Sequence, residues 1–473
     1  MNVQQIYTGC LSQGAYYIES DGEAAVIDPL REVDQYLQLA SERKASIKYI
    51  FETHFHADFV SGHVDLSRKT GAPIVYGPTK METGFDAIVA HDGQIFNVGK
   101  AKIKVIHTPG HTLESSCYLL IDESGKEKAL FTGDTLFIGD VGRPDLAQHV
   151  IAELTEEKLA GMLYESLRDK IMPLSDDLIV YPAHGAGSAC GKNLSKETSD
   201  TLGNQKKTNY ALREGLTKEQ FVKEILTGLT APPSYFPKNV LMNIKGYDNV
   251  DEVLARGTRA LSVGEFDRLI HDNQVLVLDT RDPREFRKGF IPGAWNIGLN
   301  GSFAVWVGTL IKDIRQRILI VADQGREKEA VTRLARVGYD NAVGYLDGGF
   351  PAWKNAGLEI DRIPFVTSAD LVVLQQRPGA KILDVRKKSE FDSEHIIGAV
   401  NAPLDYIEDS SKIINKSDTY YVHCAGGYRS MIFASIMKSR GYENLIDVDG
   451  GFTALKESGR FELSEFVCQT TML

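Results

Sequence analysis

The second half of the 473-residue chain repeats itself, and this duplication constrains the fold more than any other feature. Leu278-Asp279-Thr280-Arg281 returns as Leu383-Asp384-Val385-Arg386, and Glu285-Phe286 as Glu390-Phe391. Ile291-Pro292-Gly293-Ala294-Trp295-Asn296 returns as Ile396-Ile397-Gly398-Ala399-Val400-Asn401, and Asp347-Gly348-Gly349-Phe350 as Asp449-Gly450-Gly451-Phe452. Two long copies are not a solenoid, which needs three or more short units, so they read as tandem globular α/β units. At about 150 residues per domain, the chain has room for one further domain ahead of them.

That first part alternates β-branched runs, such as Ala24 to Asp28, Ile47 to Phe51 and Ala101 to Ile106, with amphipathic stretches such as Val33 to Arg43. The alternation predicts layered α/β structure. From Asn193 the composition turns polar, and Ala231-Pro232-Pro233-Ser234 breaks a helical pattern, so the end of the first domain and a linker are placed before about residue 255. The expected domains are 1–240, 258–360 and 365–460, in an α/β multidomain chain.

A net charge of −11 without a long basic run gives polyanions nothing to hold, which excludes nucleic acid as a partner. No apolar run is long enough to span a membrane, and the first residues lack a basic region followed by an apolar one, so a soluble, cytoplasmic protein is expected. Five scattered cysteines (Cys10, Cys117, Cys190, Cys424, Cys468) suit a reducing compartment better than a disulfide framework.

The strongest chemical signal is Thr53-His54-Phe55-His56-Ala57-Asp58, directly after an apolar run. Thr108-Pro109-Gly110-His111, Thr132-Gly133-Asp134 and Pro182-Ala183-His184 follow other strand-like segments. Imidazoles and carboxylates gathered from several strand ends are the donors that a divalent transition metal takes. In order and spacing these clusters resemble the metallo-β-lactamase superfamily, over about residues 1–240, which implies an αββα sandwich. The dinuclear hydrolases of that superfamily carry a second-site histidine directly after the aspartate, where this chain has Phe59, so one metal is expected.

The chain resembles the persulfide dioxygenase branch more closely. That resemblance implies one iron(II) on His54, His111 and Asp134, with zinc an option in isolated protein, and leaves His56, Asp58 and His184 as orienting groups or alternative ligands. It also implies Arg143 as a contact for an anionic substrate, or else a structural ion pair, and Tyr181 lining the pocket. Cys190 reads as a buried structural cysteine or as a sulfur-relaying, redox-sensitive thiol.

In the second copy, a short strand at Tyr420 to Val422 leads into His423-Cys424-Ala425-Gly426-Gly427-Tyr428-Arg429-Ser430 and an amphipathic run from Met431 to Lys438. A loop of this kind turns backbone N–H groups and a helix N-terminus toward the sulfur, favouring a thiolate or persulfide anion. It resembles the rhodanese active site, with Cys424 as nucleophile and Arg429 as charge partner. The first copy has no cysteine; either Val321 or Asp323 is expected opposite Cys424, so this rhodanese-like copy is expected to be inert in sulfur transfer.

These resemblances imply a persulfide dioxygenase and thiosulfate sulfurtransferase. Its partners would be O₂, a glutathione- or coenzyme A-type persulfide, sulfite and thiosulfate, and a homo-oligomer is expected. One alternative is a zinc hydrolase of thioesters or lactones fused to a sulfurtransferase; another is a sulfur carrier with a vestigial metal site.

Overall fold

The computed structural model describes residues 1–146, 154–192, 194–229, 232–272, 274–377 and 379–467. Asn193 and Ala231, which open the two breaks read from the sequence, lie outside the described residues, as does Cys468. Two compact units are present: Met1–Val250 with Ala335–Gly338, and Asp251–Leu334 with Tyr339–Leu473.

The first unit holds two six-stranded sheets. One runs β1 (Asn2–Thr8), β2 (Gln13–Ser20), β3 (Glu23–Ile27), β4 (Ser46–Glu52), β5 (Ile74–Tyr76) and β6 (Ala87–Val89), in that order. The other runs β7 (Ile95–Val98), β8 (Ala101–His107), β9 (Ser116–Ile121), β10 (Glu127–Gly133), β11 (Ile179–Pro182) and β12 (Asp200–Thr201). The two-residue period of the strands fills two cores at once. In β9, Tyr118 and Leu120 join the core between the sheets, while Cys117 and Leu119 join the one outside.

Between the sheets Tyr16, Ile27 and Phe51 meet Val105, Tyr118 and Phe131. Outside the first sheet, Val26 and Ile50 pack with Tyr36 and Ala40 of helix Asp34–Glu42. Outside the second, Leu130 and Val180 pack with Leu163 of helix Glu156–Glu165 and Phe221 of helix Lys218–Leu226. The result is the αββα layering expected from the resemblance, each fully buried large side chain contributing about 1.5–3 kcal/mol before entropy is counted.

The second unit holds two five-stranded parallel sheets. The strands are β13 (Ala260–Leu261), β14 (Val275–Asp279), β15 (Trp295–Asn296), β16 (Arg317–Val321) and β17 (Ala342–Leu346), then β18 (Phe365–Val366), β19 (Ala380–Asp384), β20 (Val400–Asn401), β21 (Thr419–His423) and β22 (Leu445–Val448). Their orders, β13-β17-β16-β14-β15 and β18-β22-β21-β19-β20, are the same order twice. The repeated motif explains why. Arg281 clasps Asp279 at 2.6 Å as Arg386 clasps Asp384, and the Asn296 amide donates to the carbonyls of Asp279 and Arg281 as Asn401 does to those of Asp384 and Arg386.

Register settles which residue of the first copy stands opposite the cysteine. Asp279 pairs with Val321 as Asp384 pairs with His423, so the next residue, Ala322, occupies the place of Cys424. The expectation of Val321 or Asp323 is corrected accordingly: Val321 ends the strand and Asp323 lies one residue further into the loop. The expectation of an amphipathic run at Met431 to Lys438 is also corrected, because helix Tyr428–Ser439 is buried at every position from Ser430 to Met437. Among the described residues, no helix is long and apolar enough to cross a membrane.

Candidate functional site

Four strands of the first unit end at one rim of the sandwich. His54 follows β4, His111 lies in the loop after β8, Asp134 follows β10 and His184 follows β11. The strand ends approach so closely that Gly133, at φ +50°, has no room for a side chain: a Cβ there would stand 2.5 Å from Thr53 Oγ1.

His54, His111 and Asp134 are buried, with ligand atoms within 4.8 Å of one another. Asp134 Oδ2 lies 3.8 Å from His54 Nε2 and 3.4 Å from His111 Nε2. Both rings are locked from behind. His111 Nδ1–H donates to the Arg143 carbonyl at 2.8 Å. Thr53 Oγ1 donates to Asp28 Oδ2 at 2.9 Å, so at 3.0 Å from His54 Nδ1 it must accept the ring's proton. Both tautomers therefore leave Nε2 as a bare lone pair aimed at the shared space. Burial, reinforced by the neighbouring rings of His56, His111 and His184, holds His54 well below the ordinary histidine range, which keeps it neutral as a ligand must be. Neither carboxylate oxygen of Asp134 has a hydrogen-bond partner among the described residues. Two imidazoles engaged at Nδ1 and a carboxylate that accepts no hydrogen bond, all facing one point, fit a divalent transition metal.

The other oxygen, Asp134 Oδ1, faces His184 Nε2 at 3.6 Å, and His184 lies 3.4 Å from Asp58. His184 Nδ1–H donates to the Ser12 carbonyl. Cys190 joins this second buried group. Burial, with Asp58 and Asp134 adding to it, pushes the Cys190 thiol well above its usual range.

His56 lies beside His54, ring centroids 4.2 Å apart, but joins a third buried group with Asp28 and Glu52. Its ring rests on Phe59 at a 4.4 Å centroid separation, and its Nε2 meets Asp28 at 3.1 Å and Glu52 at 3.4 Å. Burial works against the charged ring, but Asp28 and Glu52 outweigh it and raise His56 to about 9. Arg143 is clasped by Asp145 through two 2.6 Å bonds, while its carbonyl serves His111. Tyr181 stacks on Phe131 at 5.4 Å within the sandwich. A cavity of about 610 Å³ opens beside His111, walled by Phe55, Ala57, Leu113, Glu114, Val240 and Ile244, and Tyr181 is not among its lining residues.

Asp28 and Glu52 escaped the sequence reading. Asp28 does carry a sign of its role: it holds φ +50°, costly for a non-glycine residue, and in that pose its carboxylate takes both the N–H and the hydroxyl of Thr53.

In the second unit Cys424 is 1% exposed at the end of β21, and its Sγ accepts the Gly427 N–H at 3.1 Å. Arg429, in the first turn of helix Tyr428–Ser439, is held by both oxygens of Glu390. Burial raises the Glu390 carboxyl, but the guanidinium outweighs it and holds that group below the usual carboxylate range.

Comparison with known proteins agrees with this architecture. Residues 8–184 match the family model of the metallo-beta-lactamase superfamily, and residues 262–356 and 367–458 each match the rhodanese-like domain. A solved metallo-beta-lactamase from Staphylococcus aureus subsp. aureus COL is 32% identical; the match covers 73% of this chain and 98% of that one, at a TM-score of 0.66. The chain belongs to the metallo-β-lactamase superfamily. This superfamily member carries two rhodanese-like domains behind its metallo-β-lactamase domain. A hydroxyacylglutathione hydrolase from Francisella tularensis subsp. novicida is 34% identical over 36% of this chain, and the chain spans only 61% of that hydrolase. The structure of ETHE1 from Myxococcus xanthus is 27% identical, covering 52% of this chain and 99% of that one, at a TM-score of 0.44.

Proposed function

We propose that the chain is a cytosolic persulfide dioxygenase coupled to a sulfurtransferase. The observation that carries this reading is the donor set: two imidazoles with Nε2 turned to one point and one carboxylate would hold a metal, and Phe59 stands where a second site would take a histidine. Bound there, iron(II) would supply the redox chemistry that joins O₂ to the terminal sulfur of a persulfide. The balance is R–S–S–H, O₂ and water giving R–SH, sulfite and two protons.

The chain's own residues hold and exclude. His54, His111 and Asp134 would grip the metal; Thr53 and Asp28 fix His54, and the Arg143 carbonyl fixes His111. The largely apolar cavity beside His111 would seat the organic part of the carrier thiol and keep bulk water from the reacting sulfur. The hydroxyacylglutathione hydrolase relative supports a glutathione-type carrier. Cys424 would take a sulfane sulfur from thiosulfate, breaking its S–S bond and releasing sulfite, and then pass that sulfur to a thiophilic acceptor as the thiolate is restored. The four described cysteines are free, in keeping with a reducing compartment.

A second reading, a dinuclear zinc hydrolase of thioesters, is favoured by one observation: Asp58, His184 and Cys190 form a second donor group against the far oxygen of Asp134. Oxygen uptake, sulfite and thiosulfate are measured with glutathione persulfide and coenzyme A persulfide, for the intact chain and for Cys424→Ser. Uptake and sulfite are expected to persist in the variant while sulfur transfer disappears. Two zincs per chain, thioester cleavage and no oxygen uptake would replace the first reading by the second.

A further inference from the structure

Helix Tyr428–Ser439 starts at the sulfur-transfer loop and is buried on every face from Ser430 to Met437, so it needs cover beyond its own sheet. The cysteine-less copy provides it. The Trp295 indole N–H donates to Ser439 Oγ at 3.0 Å, the Asn296 N–H to Ser435 Oγ at 2.9 Å, and the Tyr428 hydroxyl to the Gly298 carbonyl at 2.7 Å. Positions 428, 435 and 439 are spaced i, i+7 and i+11, so they form one stripe along the helix. The segment they meet is itself tied down, because the Asn296 amide spans the carbonyls of Asp279 and Arg281.

At the first turn the fit is steric. A Cβ on Gly301 would stand 2.5 Å from Cζ of the Tyr428 ring, so the ring lies against bare backbone. Tyr428 is bonded on one side to Gly427, whose N–H reaches Cys424 Sγ, and on the other to Arg429. The ring is thus anchored one residue from the N–H that serves the sulfur. A second tie flanks the loop: Arg287 of the first copy reaches Asp447 at 2.8 Å and Asp449 at 3.0 Å, and Asp447 accepts the Ser430 hydroxyl.

We propose that the cysteine-less copy positions the sulfur-transfer loop of its neighbour, its segment Trp295–Gly301 seating Tyr428 and thereby fixing the Gly427 N–H aimed at Cys424. This rests on Cys424 being the transfer nucleophile. Gly298, Gly301 and Tyr428 are positioning residues, acting through the loop and not on the sulfur.

The test uses the full chain with thiosulfate as donor and cyanide as acceptor, comparing wild type, Gly301→Ala, Tyr428→Leu, the double variant and Cys424→Ser. Gly301→Ala is expected to keep its circular dichroism and unfolding temperature yet lose kcat by about tenfold, with KM for thiosulfate changed far less. The acid limb of its kcat/KM profile should move up by about half a pH unit, the scale of one helix-terminus interaction. With the ring already removed in Tyr428→Leu, adding Gly301→Ala should cost little more. Wild-type kcat and pH profile in Gly301→Ala, or losses that simply multiply in the double variant, would overturn the proposal. Should Gly301→Ala fail to fold, Tyr428→Phe decides: a lowered kcat with the same pH shift supports the seat, and wild-type behaviour overturns it. Transfer in wild type that survives Cys424→Ser would overturn the reading of Cys424 itself, whereas Cys424-dependent transfer indifferent to Gly301 overturns only the positioning role.

Discussion

At the scale of residues, the metal-holding geometry depends on groups one step behind the ligands. Thr53 is the clearest case, since its hydroxyl takes a proton from His54 and gives its own to Asp28. Thr53→Val keeps the shape and removes both bonds; metal affinity is expected to fall by about 10–100-fold, measured by competition with a chelator. His63 gives a pH prediction. Its ring lies among Tyr76, Phe85 and Tyr247, and burial, with His56 adding to it, pushes it from 6.5 down to about 3. The folded ring stays neutral while the unfolded one takes up a proton below 6.5, so its contribution is complete above that pH and is lost progressively as pH falls toward 3. At pH 5 the loss from this ring is about 2 kcal/mol. Urea midpoints at pH 7 and pH 5 should therefore separate more for wild type than for His63→Phe. The histidine and aspartate clusters were legible in the sequence because strand ends announce themselves by a change of pattern. Their supporting groups were not: nothing in Val26-Ile27-Asp28 distinguishes a carboxylate that will fold back onto Thr53 from an ordinary end of strand.

At the scale of elements, the β-branched runs Ala24 to Asp28, Ile47 to Phe51 and Ala101 to Ile106 marked strands β3, β4 and β8, whereas β9, buried on both faces, shows no alternation to read. Helix Tyr428–Ser439 was misread for an instructive reason. The run from Met431 to Lys438 was read as amphipathic, but Ser430 to Met437 are all buried and Ser435 meets the other copy, and sequence periodicity does not register cover supplied from elsewhere. Ser435 tests this. Its hydroxyl oxygen receives the buried Asn296 N–H, and Ser435→Ala would strand that donor. A loss of about 1–3 kcal/mol in urea unfolding is expected. A change near zero would mean that the amide finds water.

At the scale of the whole molecule, the two units should respond separately to metal. A chelator is expected to lower the calorimetric transition of the unit built on Met1–Val250 and to leave that of the unit built on Asp251–Leu334 and Tyr339–Leu473 in place. Restoring metal at about 100 times its Kd should return about 2.7 kcal/mol. The duplication was plain in the sequence, because the same aspartate, arginine and asparagine are needed twice to tie the same strands; the residue opposite Cys424 was not, because only strand register places Ala322 there. That placement has a chemical corollary. Ala322→Cys would hang a thiol from the same peg, but the helix that follows opens with Glu327 and Glu329 where its counterpart presents Arg429. Register sets Glu327 where the working copy has Arg429, and Glu329 is already paired with Arg326 and Arg333, so re-arming the silent copy calls for a cation at position 327 as well as for its reacting atom.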